Sequence, residues 1–164
     1  MNYTAVYLRT IIFGINDSLV STVGFLAGIS VAGVPRATIA LTGIIYALVE
    51  AFSMATGDFL SEESAEEYES KSDVSDRPSI IAAILMFISC VLAAIIPLVP
   101  YLIFSDGTAL LVSASASIFS LFIVGVLSAR FSRLPSLWRG ARMALLGGAA
   151  IVMGVAVGMF MPAL

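Results

Sequence analysis

The sequence predicts an all-α integral membrane protein whose chain crosses the bilayer five times as one transmembrane domain, residues 1–164. Three observations carry that reading. Of 164 residues, 60% are hydrophobic and 12% charged, whereas a soluble domain is about 25% charged. Mean hydropathy is +1.06. The apolar residues also fall into five runs, about 10–32, 37–60, 79–104, 108–129 and 138–161, each near the roughly 20 residues an α-helix needs to span hydrocarbon. The net charge of −3 says less than its distribution, since seven of the eleven acids lie between residues 61 and 78. No nucleic-acid partner and no enzymatic activity are expected. Cys90 is the single cysteine and has no internal disulfide partner, and no cleavable-signal pattern precedes the first run. Histidine is absent, which leaves carboxylates, Met, Asn and backbone oxygens for any metal chemistry.

Orientation follows from the basic residues. With a cytoplasmic N-terminus, Arg9, Lys71, Arg77, Arg130, Arg133, Arg139 and Arg142 are cytoplasmic and only Arg36 is outside, seven against one; basic residues concentrate on the cytoplasmic side. The odd number of spans then puts the C-terminus on the extracytoplasmic side.

The first run holds Asn16-Asp17-Ser18 about two turns from its cytoplasmic end. Asp17 is therefore in the membrane, and a carboxyl there costs at least about 2.5–3.5 kcal/mol at the bilayer centre, so it faces a helix or a water path. Ser21 and Gly24 follow on the same face, and Gly24-x-x-x-Gly28 admits close approach of a second helix. Pro35 in the short Gly33-Val34-Pro35 connection makes a tight hairpin with the second run.

In the second run Glu50, Met54 and Asp58 recur at i, i+4 and i+8, one stripe on one helix face. Methionine is common in cores. Between two carboxylates, however, its thioether adds a soft donor to hard ones, a mixture that suits first-row ions such as Fe2+ or Mn2+ better than Mg2+ or Ca2+.

Residues 61–78 form an acidic cytoplasmic linker: Glu62, Glu63, Glu66, Glu67, Glu69, Asp73 and Asp76 against Lys71 and Arg77. If the second helix continues outward, Glu62/Glu66 and Glu63/Glu67 are like-charge i, i+4 pairs that a cation would relieve. Ser64-Ala65-Glu66-Glu67 also reads as a capping box, which fits a separate surface helix. Metal collection and a merely solvated acidic face are both open.

The third run carries Cys90, read as packing, and Pro97 and Pro100, tolerated late in a span when neighbours satisfy the freed carbonyls. Asp106-Gly107 turns the chain into the fourth run, whose Ser113, Ser115, Ser117 and Ser120 bond neighbouring helices or their own backbone. The fifth run, with Gly147-Gly148 and Gly154-x-x-x-Gly158, offers another close-packing face, open to a partner subunit. Arg139 and Arg142 at its start fit lipid-phosphate anchoring.

These stretches carry a resemblance. Gly14-Ile15-Asn16-Asp17-Ser18 with Val20-Ser21-Thr22 and Ala27-Gly28, Ser53-Met54-Ala55 with Gly57-Asp58-Phe59-Leu60-Ser61, Ile96-Pro97-Leu98-Val99-Pro100-Tyr101, and Trp138-Arg139-Gly140 through Gly147-Gly148 together resemble the vacuolar iron transporter family. The first two are the specific ones, because they carry the family's membrane Asp and Met. The resemblance implies a proton-coupled antiporter that moves Fe2+, and often Mn2+, out of the cytosol as a two-fold homodimer of five-span subunits, with no resident cofactor because the metal is cargo. The cell membrane is expected, a vacuolar or other organelle membrane being the alternative.

Two departures qualify the carry-over. The family's second-helix glutamate lies two turns before the Ser-Met pair, where this chain has Tyr46; Glu50, one turn before Met54, keeps the same face and is assigned by chemistry. Eukaryotic members also insert a three-helix cytoplasmic metal-binding domain between the second and third spans, where this chain has only the 18 residues 61–78. The expected transport site is thus Asp17, Glu50 and Met54, with Asp58 at its cytoplasmic mouth and Glu62, Glu63, Glu66 and Glu67 as a shallow collecting region. A divalent cation and protons compete there for the same oxygens, which makes exchange obligatory. A membrane scaffold whose acidic linker recruits a partner, and a cation channel, are the alternatives.

Overall fold

The computed structural model describes residues 3–70, 77–130 and 135–161. They form five helices: α1 Tyr3–Val31, α2 Arg36–Ser70, α3 Arg77–Ile103, α4 Asp106–Arg130 and α5 Ser136–Phe160. Each is long and apolar enough to cross a membrane, and among the described residues there is no strand. Large apolar side chains stay exposed on all five, among them Phe13, Phe52, Leu92, Leu111 and Val152. Such a surface is soluble in lipid and not in water.

α1 is the central helix. It packs along α3 and α5 and touches α2 and α4, while α2 leans chiefly on α3 and α4 on α5. Small residues set those distances. A Cβ on Gly24 would lie 3.0 Å from the Ala150 carbonyl oxygen and one on Gly28 2.9 Å from that of Gly154, while a Cβ on Gly154 would run into the Gly24 carbonyl. The glycine faces of α1 and α5 therefore meet within one chain, backbone against backbone. The α5 face expected to be open to a partner subunit is spent on α1, at least over Gly154 and Gly158.

Hydroxyls tie the other contacts. Ser18 donates to the Cys90 carbonyl at 2.8 Å, Tyr101 to that of Leu26 at 3.4 Å and Ser113 to that of Pro97 at 2.8 Å. α3 continues through both of its prolines. At the end of the bundle opposite the N-terminus, Arg36 donates to the carbonyls of Phe104 and Leu102, at 2.9 and 3.1 Å. A cation there satisfies the last carbonyls of α3 and suits the negative end of its dipole.

α2 differs most from expectation. It runs unbroken to Ser70, ten residues past the apolar run, because nothing between Asp58 and Ser70 breaks a helix. Ser64 does not cap a new helix as the capping-box reading had it; its hydroxyl donates to the Leu60 carbonyl one turn back, at 2.7 Å. Lys71, Asp73, Asp76 and Arg133 lie outside the described residues, as does the C-terminal Leu164.

Candidate functional site

The polar stripe of α2 faces α1 in antiparallel order. At the N-terminal end of the bundle Arg9 of α1 pairs with Glu62 of α2. One turn inward the Thr10 hydroxyl lies 3.3 and 3.5 Å from the two Asp58 carboxylate oxygens. Farther along, Asp17 comes within electrostatic reach of Glu50, and the Ser21 hydroxyl stands beside the Glu50 carboxylate. Beyond them the rings of Phe25 and Tyr46 stack with centroids 4.5 Å apart. These cross-helix contacts follow one line, residues later in α1 meeting residues earlier in α2.

Glu50 is the most telling member. Its Oε1 accepts a hydrogen bond from the Tyr46 phenol at 3.0 Å, whereas its Oε2 is buried with no hydrogen-bond partner among the described residues. A buried carboxylate oxygen without a donor costs on the order of 1–3 kcal/mol or more, so such an atom calls for a cation or a proton. The Glu50 residue lines a cavity of about 510 Å3 together with Phe25, Thr42, Tyr46, Ser53 and Met54. The outer wall of that cavity is the exposed α2 face of Ile45 and Val49.

Met54 also lines a second cavity, of about 430 Å3, with Thr10, Asp58, Ser61 and Met86. Glu50, Met54 and Asp58 therefore stand one above another between two adjoining spaces, as their four-residue spacing dictates at about 6 Å of rise per step.

The glutamates of the expected collecting region separate. Glu62 and Glu66 are buried, 6% and 8% exposed, while Glu63 is half-buried and Glu67 exposed. Burial of the first two departs from a shallow surface cluster. The cation that offsets Glu62 is the guanidinium of Arg9, so that carboxylate is already engaged. Among the described residues, no three of His, Cys, Asp and Glu gather closely enough to hold a metal ion. Asp17 with Glu50, and Asp58 alone, are thus separate acidic points along a path.

Sequence reasoning missed Thr10, Arg9 as the partner of Glu62, and Tyr46 as the donor to Glu50. Periodicity contained part of the signal: Thr10 precedes Asp17 by seven residues, two helical turns, on the same face.

A family model described as the VIT family matches residues 8–77 and 71–159. No curated protein matches the sequence.

Proposed function

We propose, from the premise that the chain belongs to the VIT family of membrane metal-ion transporters, that it carries divalent transition-metal ions, Fe2+ and also Mn2+, out of the cytosol in exchange for protons. Family membership supports the coarse activity. The observation that supports the finer reading is Glu50, a residue lining a cavity of the apolar bundle, with one carboxylate oxygen buried without a hydrogen-bond partner among the described residues and Asp17 within electrostatic reach.

The chemistry follows from charge. Two carboxylates neutralise one divalent cation, and without the metal the same oxygens are least costly in apolar surroundings when protonated. Loading metal on one side releases protons and unloading it on the other takes them up, so an opposing proton gradient drives transport. The Met54 thioether supplies a soft donor beside the Glu50 oxygens, which favours a transition ion over Mg2+ or Ca2+.

The end carrying Arg9, Asp58 and Glu62 is the cytoplasmic mouth in this reading, with Glu63 and Glu67 drawing cations electrostatically. The cell membrane is the proposed location. Ile45 and Val49 of the cavity beside Glu50 belong to an exposed apolar stretch of α2 that also includes Leu41, Leu48 and Phe52; a two-fold homodimer would cover that stretch and bring a second set of carboxylates to the axis.

Purified protein in liposomes holding a pH-sensitive dye tests this. Fe2+ or Mn2+ uptake should alkalinise the lumen in step with metal, speed up when the lumen starts acidic, and vanish together with proton flux in Asp17→Asn. Metal flux indifferent to the pH gradient would make the protein a channel, and no flux at all would refute transport.

A further inference from the structure

We propose that the cavity between α1, α2 and α3 at the Arg9 end is a second cation site, softer than the Asp17–Glu50 pair, in which Met86 of α3 joins Met54 and Asp58 of α2. The proposal rests on the transport reading and names a specificity-determining residue for it.

Because no three His, Cys, Asp or Glu converge among the described residues, a cation held by one chain needs donors of another kind. This cavity contains them. Met54, Met86, Asp58, Thr10, Ser53 and Ser61 line it, together with Arg9 at its outer end, and Arg9 is already paired with Glu62. Asp58 engages a single neighbouring hydroxyl at 3.3 and 3.5 Å, which leaves oxygen lone pairs free for a cation.

Met86 is set apart from the chain's ordinary methionines. Met153, Met159 and Met161 of the α5 region are 64%, 68% and 72% exposed, whereas Met86 is 1% exposed. Its sulfur is lodged against α1, since a Cβ on Gly14 would come within 2.9 Å of Met86 Sδ. It packs with Ala51 and Cys90 in a cluster against which Met54 also rests. Met54 and Met86 are therefore neighbours on different helices, and the missing Cβ of Gly14 leaves the Met86 sulfur its room.

Two neutral sulfurs and one carboxylate leave a divalent ion with a net positive charge, and Arg9 lines the same cavity, its own charge offset by Glu62, so binding there is weak and brief, as a way station requires. Sulfur donors prefer Fe2+ or Cd2+ to Mn2+ and Mg2+. Met54 lines both cavities, so a cation leaving Asp58 and Met86 meets the same thioether that borders Glu50. Selection by softness thus precedes charge neutralisation deeper in.

Met86→Leu keeps volume and removes sulfur, a swap that cores tolerate well. In anaerobic proteoliposomes the ratio of Fe2+ to Mn2+ transport rate should fall about three- to tenfold. An unchanged ratio, or equal losses for both ions, would reduce Met86 to packing and overturn the proposal while wild-type transport still stood. Wild-type protein that moves neither ion would sink the transport reading and this one with it. A measurement that needs no transport stands beside it: X-ray absorption at the cadmium edge of Cys90→Ala protein loaded with one Cd2+ should show two sulfur neighbours, and one after Met86→Leu. Fewer than two before that substitution refutes the shared thioether site.

Discussion

Glu50→Gln is the sharpest perturbation the site allows, because the amide keeps the size of the side chain and can still accept the Tyr46 hydrogen bond, 3.0 Å long in the wild type. What it loses is charge. A unit charge about 4 Å from another contributes roughly 4 kcal/mol at the effective dielectric of about 20 that describes such sites. With about 1.4 kcal/mol to each tenfold, losing one of two neutralising carboxylates costs on the order of two to three powers of ten in metal affinity. The amide also points a donor group where Oε2, buried without a partner, is free to meet a cation. Tyr46→Phe is the matched control. It removes one hydrogen bond from a carboxylate that remains charged, worth about 1.5–3 kcal/mol in all; only the part that differs between the metal-bound and metal-free states reaches the affinity, so the fall should be smaller than in Glu50→Gln. Both are read from metal uptake and lumenal pH in proteoliposomes, on protein of wild-type helicity and size. A Glu50→Gln protein that exchanges metal for protons near the wild-type rate refutes the reasoning. So does a Tyr46→Phe protein as damaged as Glu50→Gln, because orientation rather than charge would then dominate.

Gly154→Ala should lower the melting temperature in detergent by several degrees, since its Cβ meets the Gly24 backbone carbonyl and overpacking of this kind costs about 1–3 kcal/mol. Gly148→Ala, whose Cβ meets nothing within 4 Å, should melt no lower than wild type; coincident melting of the two variants would show that the α1–α5 contact is not tight. Arg9→Gln removes a positive charge from the mouth and frees Glu62, so it should lower the apparent KM for Fe2+ about two- to threefold, an effect that fades above roughly 0.5 M salt. A raised KM would show Arg9 to be needed for shape alone. In a Cys90→Ala background, cysteine at Ser64 should react with an impermeant label only from the cytoplasmic side and cysteine at Thr108 only from outside, and the reverse pattern would invert the topology drawn from the basic residues.

The five helices were legible because a run of about 20 apolar residues is a property of one segment and needs no neighbour to interpret. The end of α2 was not. The change from apolar to acidic at residue 61 marks where hydrocarbon would stop, but backbone hydrogen bonding continues in water as long as no Pro or Gly interrupts it. The glycine faces of α1 and α5 were each visible as close-packing surfaces, yet sequence spacing cannot say that they meet one another. The same limit hid the partners in the site. Periodicity put Glu50, Met54 and Asp58 on one face, while their pairing with Asp17 and Thr10 depends on how far α2 slides along α1.

Tyr46 shows how far that difference reaches. By resemblance its position calls for a carboxylate, and in isolation a tyrosine there counts against a metal path. In the structure its phenol donates to Glu50, one turn away, and its ring stacks on Phe25 of α1. The i, i+4 relation would let the two positions exchange duties: the carboxylate sits one turn nearer Met54, and the residue left behind is the donor that fixes one of its oxygens while the other has no hydrogen-bond partner among the described residues. A carboxylate with one oxygen held and one free has fewer orientations to lose on meeting a cation than one with both free, so if Glu50 is the ligand proposed above, Tyr46 would turn an apparent loss of a ligand into positioning of the one that remains.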